Sequence, residues 1–203
     1  MHVTRYHSSG SALVAGGTAT FADRSESMAA TKKNRMDLAF AALLSDDDVQ
    51  VLEALTRIDE DGDARAIQPL LQKLARTNSA EVRSRITNML NQVKAKDAGL
   101  ELLKALEDPT LLDVRTTILA TFWNAGIDVR DHLDRFISIA IDGDANETFE
   151  CLTIIENQEI WPEKASRLGL SRIKVAAAAE KDTYKAAMLN DLKAALEFRL
   201  GIE

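Results

Sequence analysis

Apolar residues recur along this chain at positions 67, 70, 71 and 74, and the same face returns at 99, 102, 103 and 106 and again at 133, 136, 137 and 140. Steps of three and four put each set on one side of an α-helix. The offsets between sets are 32 and then 34 residues. A second kind of helix lies between them, opened by Glu81-Val82-Arg83 and, 32 residues later, by Asp113-Val114-Arg115. Its core positions align as well: Ile86, Leu90 and Val93 correspond to Ile118, Phe122 and Ala125. An earlier copy reads at Val51, Leu55 and Ile58, and a weaker later one at Cys151, Ile155 and Gln158.

Between these helices the chain carries turn and cap residues: Gly62, Asn78-Ser79, Asp108-Pro109, Gly126 and Gly143. Such short connections make neighbouring helices antiparallel. Each hairpin shows more apolar surface than it can bury alone, which predicts a stack of hairpins sharing one continuous core. Residues 36–44 read as an opening helix. Residues 184–200, with Leu189, Leu192, Leu196 and Leu200 on one face, read as a closing helix that Gly201 stops. Residues 1–35 show no apolar period and are rich in Ser, Gly, Ala and Thr. They are expected to form a disordered tail, with residues 36–203 as the repeat domain.

The stretch from Ala66 to Leu74, the following Glu81-Val82-Arg83 and the repeated Asp113-Val114-Arg115 resemble HEAT repeats, especially the short bacterial kind related to phycobilin lyases. Pro69 resembles the proline that many such repeats carry near the start of the second helix. A proline is tolerated there because a first-turn N–H has no helical partner anyway. The likeness covers residues 37–140 well and fades over 146–179. It implies an all-α fold, a right-handed α-solenoid of about four to five stacked antiparallel hairpins. It further implies that the second helix of each hairpin lines a concave face.

Composition supports helices: only 10 of 203 residues are aromatic, and 9 Gly and 3 Pro interrupt a chain rich in Ala, Leu and charged residues. The net charge of −7 is unevenly spread. Residues 1–35 hold five basic side chains against two acidic, leaving 20 basic against 30 acidic in the remainder. That surface disfavours nucleic acid and anionic membranes, whose binding comes largely from Lys and Arg. It also counts against the alkyl-base DNA glycosylases that share a HEAT-like fold. The one cysteine, Cys151, cannot form an intramolecular disulfide, which fits a reducing, cytoplasmic setting. Its apolar surroundings and acidic neighbour Glu150 argue for a buried hydrophobe over a reactive thiol. Residues 8–22 are too interrupted by Gly, Ser and Thr for a membrane span or a secretion signal.

Two acidic turns have the carboxylate spacing of a calcium loop: Asp59, Asp61 and Asp63, and Asp142, Asp144 and Asn146. Both lack glycine at the sixth position and glutamate at the twelfth, so helix N-capping is the expected role. His132 is followed by Leu133, unlike the His-Glu pairs of HEAT-repeat hydroxylases. No nucleophile-and-base arrangement and no glycine-rich phosphate loop is evident, so no cofactor or metal is expected. The function expected is a non-catalytic protein or peptide scaffold. The alternative is an accessory subunit or lyase-like chaperone of an enzyme. The expected partner-binding residues are Gln72, Lys104 and Ser138, equivalent outward positions on successive helices; Trp161, before Pro162, is a candidate aromatic anchor, although core packing is the commoner role of a tryptophan there. Arg83 and Arg115 are expected on the opposite, convex surface.

Overall fold

A computed structural model describes the backbone of residues 21–202, with side chains described at 31 and 33–202. Among the described residues there are ten α-helices and no strand. They are α1 (Phe21–Ala42), α2 (Asp48–Asp61), α3 (Ile67–Arg76), α4 (Ala80–Asn91) and α5 (Ala98–Ala105), then α6 (Arg115–Asn124), α7 (Leu133–Asp142), α8 (Ala145–Asn157), α9 (Glu163–Ala179) and α10 (Thr183–Arg199). Short 3₁₀ turns lead into α3, α6 and α7. No described helix is long and apolar enough to cross a membrane.

The caps explain where these helices begin and end. Asp47, Asp63, Asp108 and Asp182 each accept a hydrogen bond from the backbone N–H two residues on, satisfying a free first-turn donor. Asp144 and Glu147 form a reciprocal capping box at the start of α8. Gly62 and Gly126 take φ of +53° and +67° in the turns after α2 and α6, a conformation that a Cβ would strain.

The periodic positions lie where the pattern puts them: Ile67, Leu70, Leu71 and Leu74 are buried, as are Leu102, Leu103 and Leu106 and Leu133, Phe136, Ile137 and Ala140. They belong to one hydrophobic cluster that runs from Met36 to Leu196. Phe122 and Phe136 meet edge to face at 5.3 Å within it. The even-numbered helices pack in succession, α2 on α4, α4 on α6, α6 on α8 and α8 on α10. Among the odd-numbered ones α3 packs on α5 and α7 on α9, and each of α3, α5, α7 and α9 also packs on the helix that follows it.

The disordered tail expected for residues 1–35 lies outside the described residues as far as residue 20. From Phe21 onward the backbone is helical, so α1 begins fifteen residues before the expected opening helix. Residues 24–35 contain no Gly or Pro and many good helix formers. Propensity alone supports helix there, without an apolar period.

Candidate binding surface

Long polar side chains tie several helices to the next but one along the chain. Gln68 donates to the Glu101 carbonyl at 2.9 Å, Lys94 to Ala125 at 3.0 Å, Arg135 to Leu103 at 3.0 Å and Gln158 to Ile127 at 3.2 Å. Arg172 donates to the Ser138 hydroxyl at 2.9 Å, and Arg115 forms a two-bond ion pair with Glu147. Every one of these six links joins residues 31 to 34 apart. Lys185 and Arg199 do the same for the longer terminal hairpin, reaching the carbonyls of Ile141 and Gly143 and of Glu156 and Gln158. Most of the carbonyls so capped end helices, where unpaired C=O groups and the negative dipole end favour a cation.

These ties determine what the surface displays. Arg135, Arg172, Lys94, Lys185 and Arg199 are spent on backbone, and Arg57, Arg65, Arg85, Arg130 and Arg167 on carboxylates. Asp97, Asp131, Asp134 and Asp142 stay exposed, with no cation paired to their carboxylates among the described residues. Free carboxylates thus outnumber free cations around α7, where Asp131, Asp134 and Asp142 are exposed, whereas Asp97 before α5 is balanced by exposed Lys96.

Gln72 and Lys104 are exposed, and Lys104 reaches Glu101 at 2.6 Å. Ser138 is half-buried, donating to the Asp134 carbonyl while accepting from Arg172. The structure thus joins Ser138 to Arg172, 34 residues further on, and leaves Gln72 beside a cavity at the α1 end. Trp161 takes the core role and not that of an exposed anchor. It is 7% exposed, and its indole N–H donates to the Ile155 carbonyl, so neither its face nor its polar edge is free. The N–H made core burial feasible by finding a backbone acceptor, and sequence has no signal for that. Trp123 is half-buried and donates to Glu150 at 2.7 Å.

Arg83 and Arg115 are not free surface groups either. Arg83 donates to the Thr77 carbonyl, and the Arg115 side chain is 24% exposed against 9% for Glu147. The Glu147 side chain raises the guanidinium's proton affinity, chiefly by hydrogen bonding. The spacing held a clue: 83, 115 and 147 are one repeat position, and its residue changes from Arg to Glu at the third copy.

Three cavities of about 410, 390 and 400 Å³ follow one another along the edge where even helices turn into odd ones. Val93, Lys94 and Ala95 line the first two, and Asp128 and His132 the last two. The Asp128 carboxyl is held below the usual carboxylate range, first by the Arg130 side chain and then by its backbone N–H, so it is a weak base. Burial pushes the Cys151 thiol far up, with Glu147 and Glu150 adding to the shift, so it is not a thiolate nucleophile at neutral pH. Asp59 is paired with Arg85, and Asp63 and Asp144 cap helices. Among the described residues no group of three or more His, Cys, Asp or Glu is placed to hold a metal ion. No known protein family, curated protein or solved structure matches this chain.

Proposed function

We propose that residues 36–203 form a right-handed, HEAT-like α-solenoid of stacked antiparallel hairpins that serves as a non-catalytic scaffold for a protein or peptide, in a cytoplasmic setting. The observation that carries the reading is the set of six side-chain links spanning 31 to 34 residues. Links of one period between adjacent helices are what stacking of successive repeats requires. Stacked repeats hold their outer face rigid and extended, a surface suited to a polypeptide.

The chemistry of that face favours protein over nucleic acid. Equivalent positions along α3, α5, α7 and α9 carry Gln72, Lys104, Ser138 and Arg172, two neutral and two cationic groups. A phosphate backbone would call for Lys or Arg at every rung, and free carboxylates outnumber free cations around α7.

Photo-crosslinking in the native cell tests the proposal. A photoreactive phenylalanine at Gln72 or Lys104 should trap a protein partner, and Lys104→Glu should weaken the same complex without lowering the melting temperature. A label at Asn88, exposed on α4, should trap none. Adducts from Asn88 alone would move the site to the even-helix side, and adducts from none of the three would sink the scaffold reading.

A further inference from the structure

Most cations on this domain are committed to a carbonyl or a carboxylate, but Arg76 is not. Its guanidinium makes no hydrogen bond or ion pair among the described residues, and it is exposed in the last turn of α3. It lines a groove of about 460 Å³ between α1 and α3. Phe40, Leu44 and Pro69 supply the groove's apolar part, and Gln72, Lys73 and Arg76 its polar part. Leu44 is 71% exposed, an apolar side chain left in water beside a free cation. Lys73 is fixed in place by its bond to the Ser45 carbonyl at 2.9 Å. Asp46 is the one acidic residue in the lining. Within the lining itself Lys73 and Arg76 outnumber Asp46, and the negative end of the α3 dipole offsets roughly half a charge more.

This is an apolar and cationic groove on a domain that holds 30 acidic against 20 basic residues. We propose that it takes a short partner segment in which a carboxylate side chain lies next to apolar ones, the carboxylate meeting Arg76 and the apolar side chains covering Phe40 and Leu44. The proposal rests on the scaffold reading and locates its anchoring point. Guanidinium presents a planar fork of donors that matches a carboxylate with two parallel bonds. Asp131, Asp134 and Asp142 disfavour an acidic segment around α7, so complementarity favours the Arg76 groove over that stretch. Gln72, the first rung of the outward ladder, lies in the same groove and can serve a backbone amide of the segment.

The test is to pan a phage-displayed random dodecapeptide library on the full chain and titrate the selected peptides, synthesised, against variants. Selected peptides should be enriched in Asp or Glu adjacent to Leu, Ile or Phe. Arg76→Glu should weaken them by about tenfold or more, as loss of a charge-assisted contact does. Leu44→Ser should weaken them less, Arg76→Lys should restore part of the affinity, and Lys164→Glu, a change at another unpaired cation, should do nothing. All of these positions are exposed, and unchanged circular dichroism and melting temperature confirm folding. Peptides that bind but lack acidic residues, or bind Arg76→Glu equally well, overturn the groove and leave the scaffold standing. A library that yields no binder overturns both. Sedimentation showing a dimer that Arg76→Glu dissolves would give the groove to a second copy of the chain and overturn the partner assignment.

Discussion

Replacing Glu147 by glutamine should expose how much one link between α6 and α8 contributes. In Glu147→Gln the side-chain amide oxygen can still accept from the Asp144 N–H, so the capping bond survives while the ion pair with Arg115 loses its charge. Removing one member of a buried pair costs about 3–5 kcal/mol, because the other charge is left desolvated. Arg115 keeps 24% of its side chain in solvent, which discounts the loss to about 2–3 kcal/mol. In a domain of this size that is a fall of about 4–12 °C in melting temperature. Glu147→Ala should cost about 1 kcal/mol more, since it also breaks the capping box. Gly143 is what lets the Glu147 side chain fold back: a Cβ there would come within 2.2 Å of Oε2. The internal control is Glu53→Gln, whose partner Arg57 is one turn away with both side chains 62% exposed, and which should cost about 0.5 kcal/mol or less. Urea denaturation and thermal melts followed by circular dichroism measure both. The reasoning is refuted if Glu147→Gln and Glu53→Gln destabilise alike.

Leu71→Ala and Leu103→Ala should each cost about 2–5 kcal/mol, with Leu71 the larger because Leu103 borders a cavity into which the site can relax. Losses at the surface level of about 0.5 kcal/mol would mean the repeat register is wrong. Cys151 should resist a thiol reagent in the native state and react at the rate of global unfolding; rapid labelling of folded protein would contradict its burial. The Asp108 carboxyl is lowered first by the Thr110 hydroxyl and then by its N–H, so the folded form holds its proton less tightly than the unfolded one. Its stabilising effect is full above the unfolded carboxylate value of about 4 and is lost as pH falls through the lower folded value. The stability gap between wild type and Asp108→Asn should therefore narrow from about pH 6 to about pH 3, and a constant gap would refute the assignment.

The helices were legible because apolar side chains must face one core, and burial writes a period into the sequence. Ile67, Leu70, Leu71 and Leu74 and their equivalents needed no structure to be found. The acidic turns were legible for a similar reason, since a free N–H at a helix start selects for Asp. The start of α1 was not, because residues 24–35 are helical without an apolar face. The ties between repeats were hidden too. Gln68, Lys94 and Arg135 bond to backbone carbonyls, and every residue has one of those whatever its side chain. Only Arg115 and Glu147, two opposite charges at one repeat position, could have been paired in advance. Among the expected binding residues, Gln72 and Lys104 kept their exposure, Ser138 is partly committed to Arg172, and Trp161 went into the core. An aromatic side chain suits either setting, and its acceptor, the Ile155 carbonyl, leaves no trace in sequence.

The central claim is that successive hairpins stack in line, and two spin-label distances test it. Labels at Gln72 on α3 and Ser171 on α9, both exposed, are separated by three steps between odd-numbered helices. Buried Cys151 stays unlabelled. At about 8–10 Å per step, double electron–electron resonance should give a distance of about 24–30 Å, longer than that between labels at Gln72 and Ser138. A closed bundle would bring α9 back beside α3. A Gln72 to Ser171 distance no longer than the Gln72 to Ser138 one would contradict the stack.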